Sequence, residues 1–158
     1  MGGSTGAAPV TTIREATLAD VGLLAPLFDA YRQFYERPAN LELSRAFLAD
    51  RLEGGESVVF LAEEEGAGLG FVQLYPLFSS TALSPRRLWL LNDLFVVPAA
   101  RGRGIGRELL SRARRLAEDT GSCGLELVTG RTNLSAQALY ESAGYRRDDE
   151  FRRYELTF

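Results

Sequence analysis

Apolar residues recur along this chain with two periods, and the alternation between them outlines the fold. Residues 10–16 read as a short first strand, and Thr17-Leu18-Ala19-Asp20 reads as a capping box for the helix behind it. Val21, Leu24, Leu27, Phe28, Tyr31, Phe34 and Tyr35 then return every three or four residues, which predicts one amphipathic helix. Pro38 and Asn40 interrupt it. A second helix over 41–53 places Phe47, Leu48 and Leu52 on one face and stops at Gly54-Gly55. Residues 57–63 and 68–77 are strand-like, and the Glu65-Gly66-Ala67-Gly68 link makes them a hairpin. Residues 78–86 form a loop long enough to serve function.

Residues 87–97 are almost continuously apolar up to Pro98, the pattern of a strand covered on both faces. Asn92 and Asp93 interrupt this run. A buried amide or carboxylate without partners costs several kcal/mol, on the order of 2–7, so a bulge or a site is expected there. Behind Pro98 stands Arg101-Gly102-Arg103-Gly104-Ile105-Gly106-Arg107, after which Ile105, Leu109, Ala113, Leu116 and Ala117 keep helical spacing over 104–119. A strand over 124–129 follows, so strand, helix and strand make a parallel right-handed crossover. A last helix over 134–143 ends at Gly144, and 145–147 and 151–158 alternate like closing strands. The class is mixed α/β.

The glycine-rich segment has a chemical use because it opens a helix. First-turn amides lack intrahelical acceptors and the peptide dipoles make that end positive, so it suits an anion such as a pyrophosphate. Arg101, Arg103 and Arg107 add positive charge. The spacing is neither G-x-G-x-x-G nor a Walker loop. A glycine-rich turn with solvated arginines is the plainer alternative.

Composition narrows the chemistry further. With 158 residues, 46% of them hydrophobic and 25% charged, the chain suits one globular domain over 12–158 behind a flexible tail, 1–11. A net charge of −3 gives no footprint for nucleic acid or an anionic membrane, and no apolar run reaches a membrane span. The first residues lack the apolar core of a signal peptide, so a cytoplasmic location is expected. No histidine and one cysteine, Cys123, exclude a classical zinc site, a disulfide framework and Ser-His or Cys-His nucleophiles; no metal is expected.

The order Arg101-x-x-Gly104-x-Gly106 after an apolar strand resembles the acyl-CoA pyrophosphate motif of the GNAT superfamily of N-acetyltransferases. Asn133-x-x-Ala136-x-x-Leu139-Tyr140-x-x-x-Gly144-Tyr145 resembles that family's second signature. The resemblance covers residues 12–158. It implies a GNAT-like, mostly antiparallel central sheet with a parallel crossover and flanking helices. It also implies acetyl-CoA as acetyl donor, direct transfer to an amine, and commonly a homodimer.

By the same resemblance the pantetheine arm pairs with the backbone of Leu94, Phe95, Val96 and Val97, the pyrophosphate lies on residues 101–107, and Asn133 and Ser135 meet the cofactor arm. Tyr140 matches the tyrosine that serves as general acid. A phenol of pKa about 10 against about 8.5 for a thiol makes proton transfer to a thiolate nearly balanced. Read from residues alone, Tyr140 is a core aromatic beside Leu139, and Asn133 and Ser135 are equally helix caps. Asp93 is the candidate for orienting or relaying the amine proton, with Glu126 as second candidate; both also read as structural or solvent-facing carboxylates.

For the acceptor, Leu91-Asn92-Asp93-Leu94-Phe95-Val96 and Tyr31-Arg32-Gln33-Phe34-Tyr35-Glu36 look most like the diamine and thialysine branch of GNAT proteins. That branch often carries an acidic residue where Asn92 stands. Tyr31, Tyr35, Glu36 and Asn92 are thus candidate substrate contacts for a small amine, through cation–π and charge pairing. Protein or peptide N-acetylation, which would need an open groove beside loop 78–86, and an acyl-CoA-binding module without turnover are the alternatives.

Overall fold

The computed structural model describes residues 9–78 and 87–158. Most of the expected tail (1–8) and nearly all of the expected functional loop (79–86) therefore lie outside the described residues. The chain divides into two compact units, Met1–Val128 and Thr129–Phe158.

The first unit holds a five-stranded sheet in sequence order, β1-β2-β3-β4-β5. Its strands are β1 (Thr12–Glu15), β2 (Val58–Glu64), β3 (Ala67–Phe78), β4 (Arg87–Val96) and β5 (Gly124–Glu126). Pairing is antiparallel from β1 to β4 and parallel between β4 and β5. The helices α1 (Val21–Phe34), α2 (Leu41–Glu53) and α3 (Ile105–Asp119) flank it. The mixed fold with a parallel crossover is thus present.

One face of the sheet is covered by α1 and α2. Leu24, Leu27 and Phe28 of α1, Leu48 of α2, Val59 and Leu61 of β2, Phe71 of β3 and Phe95 of β4 form a single buried cluster. Each such side chain contributes about 1.5–3 kcal/mol when fully withdrawn from water. Asp29 joins the two helices: its carboxylate accepts from the Asn40 backbone N–H at 2.9 Å and from Ser44 Oγ at 3.1 Å, which fixes where α2 starts. These bonds, Asn40 first, hold the Asp29 carboxyl below its usual range against the opposing effect of burial.

The other face is covered by α3, whose Ile105, Leu109, Leu110, Ala113 and Ala117 are buried. Trp89 of β4 faces this side and donates from Nε1 to Thr120 Oγ1 at 2.9 Å, just past the end of α3. At the start of the chain Thr17 N–H donates to Asp20 Oδ2 at 2.7 Å, the expected capping bond, although it caps a short 3-10 turn (Leu18–Asp20) that leads into α1.

The second unit contains one helix, α4 (Leu134–Ser142). The expected closing strands over 145–147 and 151–158 are not formed. Side-chain alternation describes only which face a strand would bury, whereas a strand exists only when its backbone finds a ladder partner. This unit offers none among the described residues, and Phe151, Tyr154, Leu156 and Phe158 stand exposed. For the same reason β5 ends at Glu126 rather than 129: among the described residues its one ladder is with β4, over Leu88–Leu90.

Candidate active site

The site is built on an irregularity in β4. Leu91 lies opposite Leu74 of β3, and Asp93 lies opposite Gln73, so Asn92 is one extra residue on β4. In a regular strand residues 91 and 93 would share a face. The bulge reverses this. Leu91 (2% exposed) joins the α3 side with Leu74, while Asp93 (4% exposed) turns to the α1 side with Phe71 and Gln73. The bulge also coincides with the loss of β5: parallel pairing stops at Leu90. Beyond that point one edge of β4 meets no strand among the described residues.

Backbone direction along that edge follows from one bond. Val97 N–H donates to Leu69 O of β3 at 2.9 Å. Successive residues of a strand direct their N–H and C=O to alternate edges, so Leu94 and Val96 direct theirs to the open one. In agreement, Val96 O accepts from Arg101 Nε at 2.9 Å. Phe95 and Val97 supply apolar side chains to the α1-side core instead.

Asp93 ends a chain of buried polar groups. Its Oδ2 accepts from Gln73 Nε2 at 2.7 Å, Gln73 Oε1 accepts from Ser57 Oγ at 2.9 Å, and its Oδ1 accepts from Asn92 Nδ2 at 3.1 Å. The Tyr31 phenol reaches down from α1 to within 3.4 Å of Asn92 O and also bonds the Asp93 carboxylate. Burial pushes the Asp93 carboxyl above its usual range, and the bonds from Gln73, Asn92 and Tyr31 oppose that rise without cancelling it. Tyr75, two residues beyond Gln73 on the same strand, is pushed up to about 12, first by burial and then by the Asp93 charge. Its phenol therefore stays protonated throughout the neutral range.

Beyond β4 the chain runs through a 3-10 turn, Pro98–Ala100, into the glycine-rich loop. Gly102 and Gly104 have φ of +78° and +81°, and a Cβ at either would meet nothing within 4 Å. Glycine is required there for the sign of φ, since the left-handed region costs an L-residue about 1–2 kcal/mol. Gly104 caps α3. The helix's own ladder begins with Glu108 N–H to Gly104 O at 3.0 Å, so the amides of Ile105 and Gly106 precede it and suit an anion. Of the arginines, Arg103 is ion-paired with Glu64 of β2, and Arg101 is drawn over the Phe95 ring, 5.7 Å from its centroid, by its bond to Val96 O. Arg107 is exposed at the first turn of α3.

A bulged strand with an open backbone edge thus runs directly into a left-handed glycine loop and a helix start. That arrangement fits an extended amide-bearing arm ending in a pyrophosphate. The model of the acetyltransferase (GNAT) family matches residues 24–145. The chain belongs to the GNAT acetyltransferase family. An uncharacterized N-acetyltransferase of Bacillus subtilis, YhfO, is 47% identical over 145 residues, covering 92% of this chain and 96% of that protein. A probable acetyltransferase of Haemophilus influenzae is 35% identical, covering 87% and 92%. The crystal structure of a probable acetyltransferase superposes with a TM-score of 0.85 at 44% identity, covering 93% and 97%. As a GNAT enzyme the protein is an N-acetyltransferase that uses acetyl-CoA.

The remaining candidates divide between the two units of this GNAT chain. Tyr31, Asn92 and Asp93 are brought together as described. Tyr35 stands beside Tyr31, ring centroids 5.1 Å apart, and is exposed at the end of α1. Glu36 takes the left-handed conformation (φ 58°) just past α1 and is exposed. Glu126 is exposed at the end of β5, opposite Leu90. In the second unit Asn133 caps α4, its Oδ1 accepting from Ala136 N–H at 3.3 Å, and Ser135 is exposed on the first turn. Tyr140 lies on α4 with its ring centroid 5.9 Å from that of Tyr145. Three residues of the site escaped the sequence reading: Ser57, Gln73 and Tyr75. Gln73 carried a signal, an amide inside Phe71-Val72-Gln73-Leu74, of the same kind that marked Asn92 and Asp93.

Proposed function

We propose that this acetyltransferase acts on the primary amine of a small molecule, by direct attack of the amine on the acetyl thioester. The observation that carries the reading is the bulge at Asn92. It supports an open edge for the donor's amide arm, with Leu94 and Val96 as pairing residues, and it turns a carboxylate toward the α1 face beside the phenols of Tyr31 and Tyr75. A carboxylate among aromatic rings suits a cationic acceptor by charge pairing and cation–π attraction.

An alkyl ammonium of pKa about 10.4 costs roughly 4–5 kcal/mol to neutralise at pH 7. Asp93, with its raised pKa, accepts that proton directly or through water as the C–N bond forms. Acetyl-CoA supplies the thioester, whose C–S bond breaks as the amide forms. Tyr140, by its place in the second motif, gives its phenolic proton to the departing sulfur. The glycine loop and the start of α3, residues 101–107, hold the pyrophosphate, and Asn133 and Ser135 contact the cofactor arm. Tyr35 and Asn92 line the acceptor side, with Glu36 at its outer end.

An amide at Asn92 in place of a carboxylate leaves Asp93 as the single acidic group at the bulge. This favours a mono-amine or short diamine over a long polyamine. The protein is further proposed to be a cytoplasmic homodimer paired through its C-terminal segment, which presents Phe151, Tyr154, Leu156 and Phe158; sedimentation as a 17.4 kDa species alone would remove that part. The test of the function is thiol release from acetyl-CoA against a panel of monoamines, short diamines, polyamines, amino acids and N-terminal peptides. Turnover with small amines is expected, and turnover with peptides alone would overturn the reading.

A further inference from the structure

Gln73 is fully buried at 0% exposure in the middle of the apolar strand β3, where leucine or methionine would fill a similar volume with no polar group to satisfy. Its amide is nevertheless bonded at both ends, to Ser57 Oγ at 2.9 Å and to Asp93 Oδ2 at 2.7 Å. Only one amide orientation serves both neighbours. With Nε2 toward Asp93 it donates to the carboxylate while Oε1 accepts the Ser57 hydroxyl; flipped, Oε1 would face Oδ2, oxygen against oxygen. The two oxygens of Asp93 are thereby made unequal. Oδ2 is tied inward to the sheet by Gln73, whereas Oδ1 accepts from Asn92, the exposed bulge residue, and the Tyr31 phenol bonds the same carboxylate from the α1 side.

We propose that Gln73, oriented by Ser57, is a positioning residue for proton transfer. It anchors Oδ2 of Asp93 in the sheet and so presents Oδ1, at the bulge, as the oxygen that receives the amine proton. The inference rests on the reading of Asp93 as the proton acceptor. It adds two residues, 16 and 20 positions apart in sequence along the chain Ser57, Gln73, Asp93, that no motif marks. The titratable groups facing Asp93 are Tyr31 from α1 and Tyr75 on β3, with Arg51 of α2 and Glu56 reaching Tyr75. The Tyr75 phenol, pushed up to about 12, does not titrate in the range of the assay.

The experiment is the pH profile of kcat and kcat/KM for the best amine, with acetyl-CoA affinity and thermal unfolding, on the parent and five variants. These are Asp93→Asn, Gln73→Met, Gln73→Glu, Ser57→Ala and the Gln73→Met/Asp93→Asn double variant. Gln73→Met removes one donor from the carboxylate, so the acidic limb should move up by about one pH unit and kcat at pH values on that limb, below the parent's midpoint, fall about tenfold, with acetyl-CoA affinity unchanged. Gln73→Glu places a second carboxyl against Oδ2. The pair then shares a proton and the limb should move further. Ser57→Ala should shift it in the same direction by less.

Because Gln73 acts through Asp93, the double variant should turn over no more slowly than Asp93→Asn alone. Parent-like profiles in both Gln73 variants, or losses that multiply in the double variant, would overturn the inference while leaving the role of Asp93 intact. A parent-like profile in Asp93→Asn would instead overturn the reading of Asp93 itself. Should Gln73→Met fail to fold, the isosteric Gln73→Glu carries the comparison.

Discussion

Gly104→Ala separates the two jobs of the glycine loop. Gly104 holds φ +81°, ψ 2° at the cap of α3, and a Cβ built there meets no atom within 4 Å. The cost of alanine is therefore dihedral strain without overlap, about 1–2 kcal/mol for an L-residue kept in the left-handed region. That strain has to appear in one of two places. If the loop keeps its conformation, the protein should melt roughly 2–8 °C lower, by the scaling for a chain of this size, and bind coenzyme A as before. If the loop relaxes to negative φ, the melting temperature should stay near that of the parent. The amides of Ile105 and Gly106 would then lose their alignment, and affinity should fall about five- to thirtyfold for the same free energy. Thermal unfolding and calorimetric titration with coenzyme A, run on the same preparations, measure both. A Gly104→Ala protein with the parent's melting temperature and the parent's affinity would refute the reasoning.

Two further outcomes follow from individual groups. Tyr140→Phe should lower kcat by about a hundredfold while acetyl-CoA affinity persists, because it removes the proton and keeps the ring; equal kcat values would take Tyr140 out of the catalysis. Asp20, bonded by the Arg14 guanidinium at 2.7 and 2.9 Å, has its carboxyl lowered to about 2 from 3.8, with the Arg14 bonds as the largest cause. A lowered folded-state pKa gives stability that is present above the unfolded value and lost as pH falls toward about 2. The half-exposed Arg14 weakens the pair through solvent, so thermal melts between pH 4 and 2 should lose about 1 kcal/mol through this group, and Asp20→Asn should flatten that slope.

Much of this architecture was legible along the chain because local signals and packing agree. The second helix ends where Gly54 follows it, and the apolar run of β4 carries its own marker, since Asn92 and Asp93 could not lie in a regular covered strand without partners. Which face Asp93 would take was not legible. That depends on whether one residue is extra, and a bulge is decided by pairing with β3, not by residues of β4 alone. Ser57 and Gln73 were missed for a related reason, as their meaning comes from contacts across two strand pairs. The arginines of the loop show the limit of charge counting: Arg103 has an acidic partner 39 residues away in sequence, which no local pattern announces. The alternation near the C-terminus misled because it speaks of side chains while a strand is held by its backbone.

The central claim is that the bulge leaves the backbone of Leu94 and Val96 open for the amide-bearing arm of acetyl-CoA. Residue-resolved amide hydrogen exchange with and without saturating coenzyme A tests it most directly. The Leu94 and Val96 amides should exchange readily in the free protein and slow at least tenfold on binding, about 1.4 kcal/mol of added protection, while Val97, already bonded to Leu69, should change little. Unchanged exchange at Leu94 and Val96 in a protein saturated with coenzyme A would contradict the account.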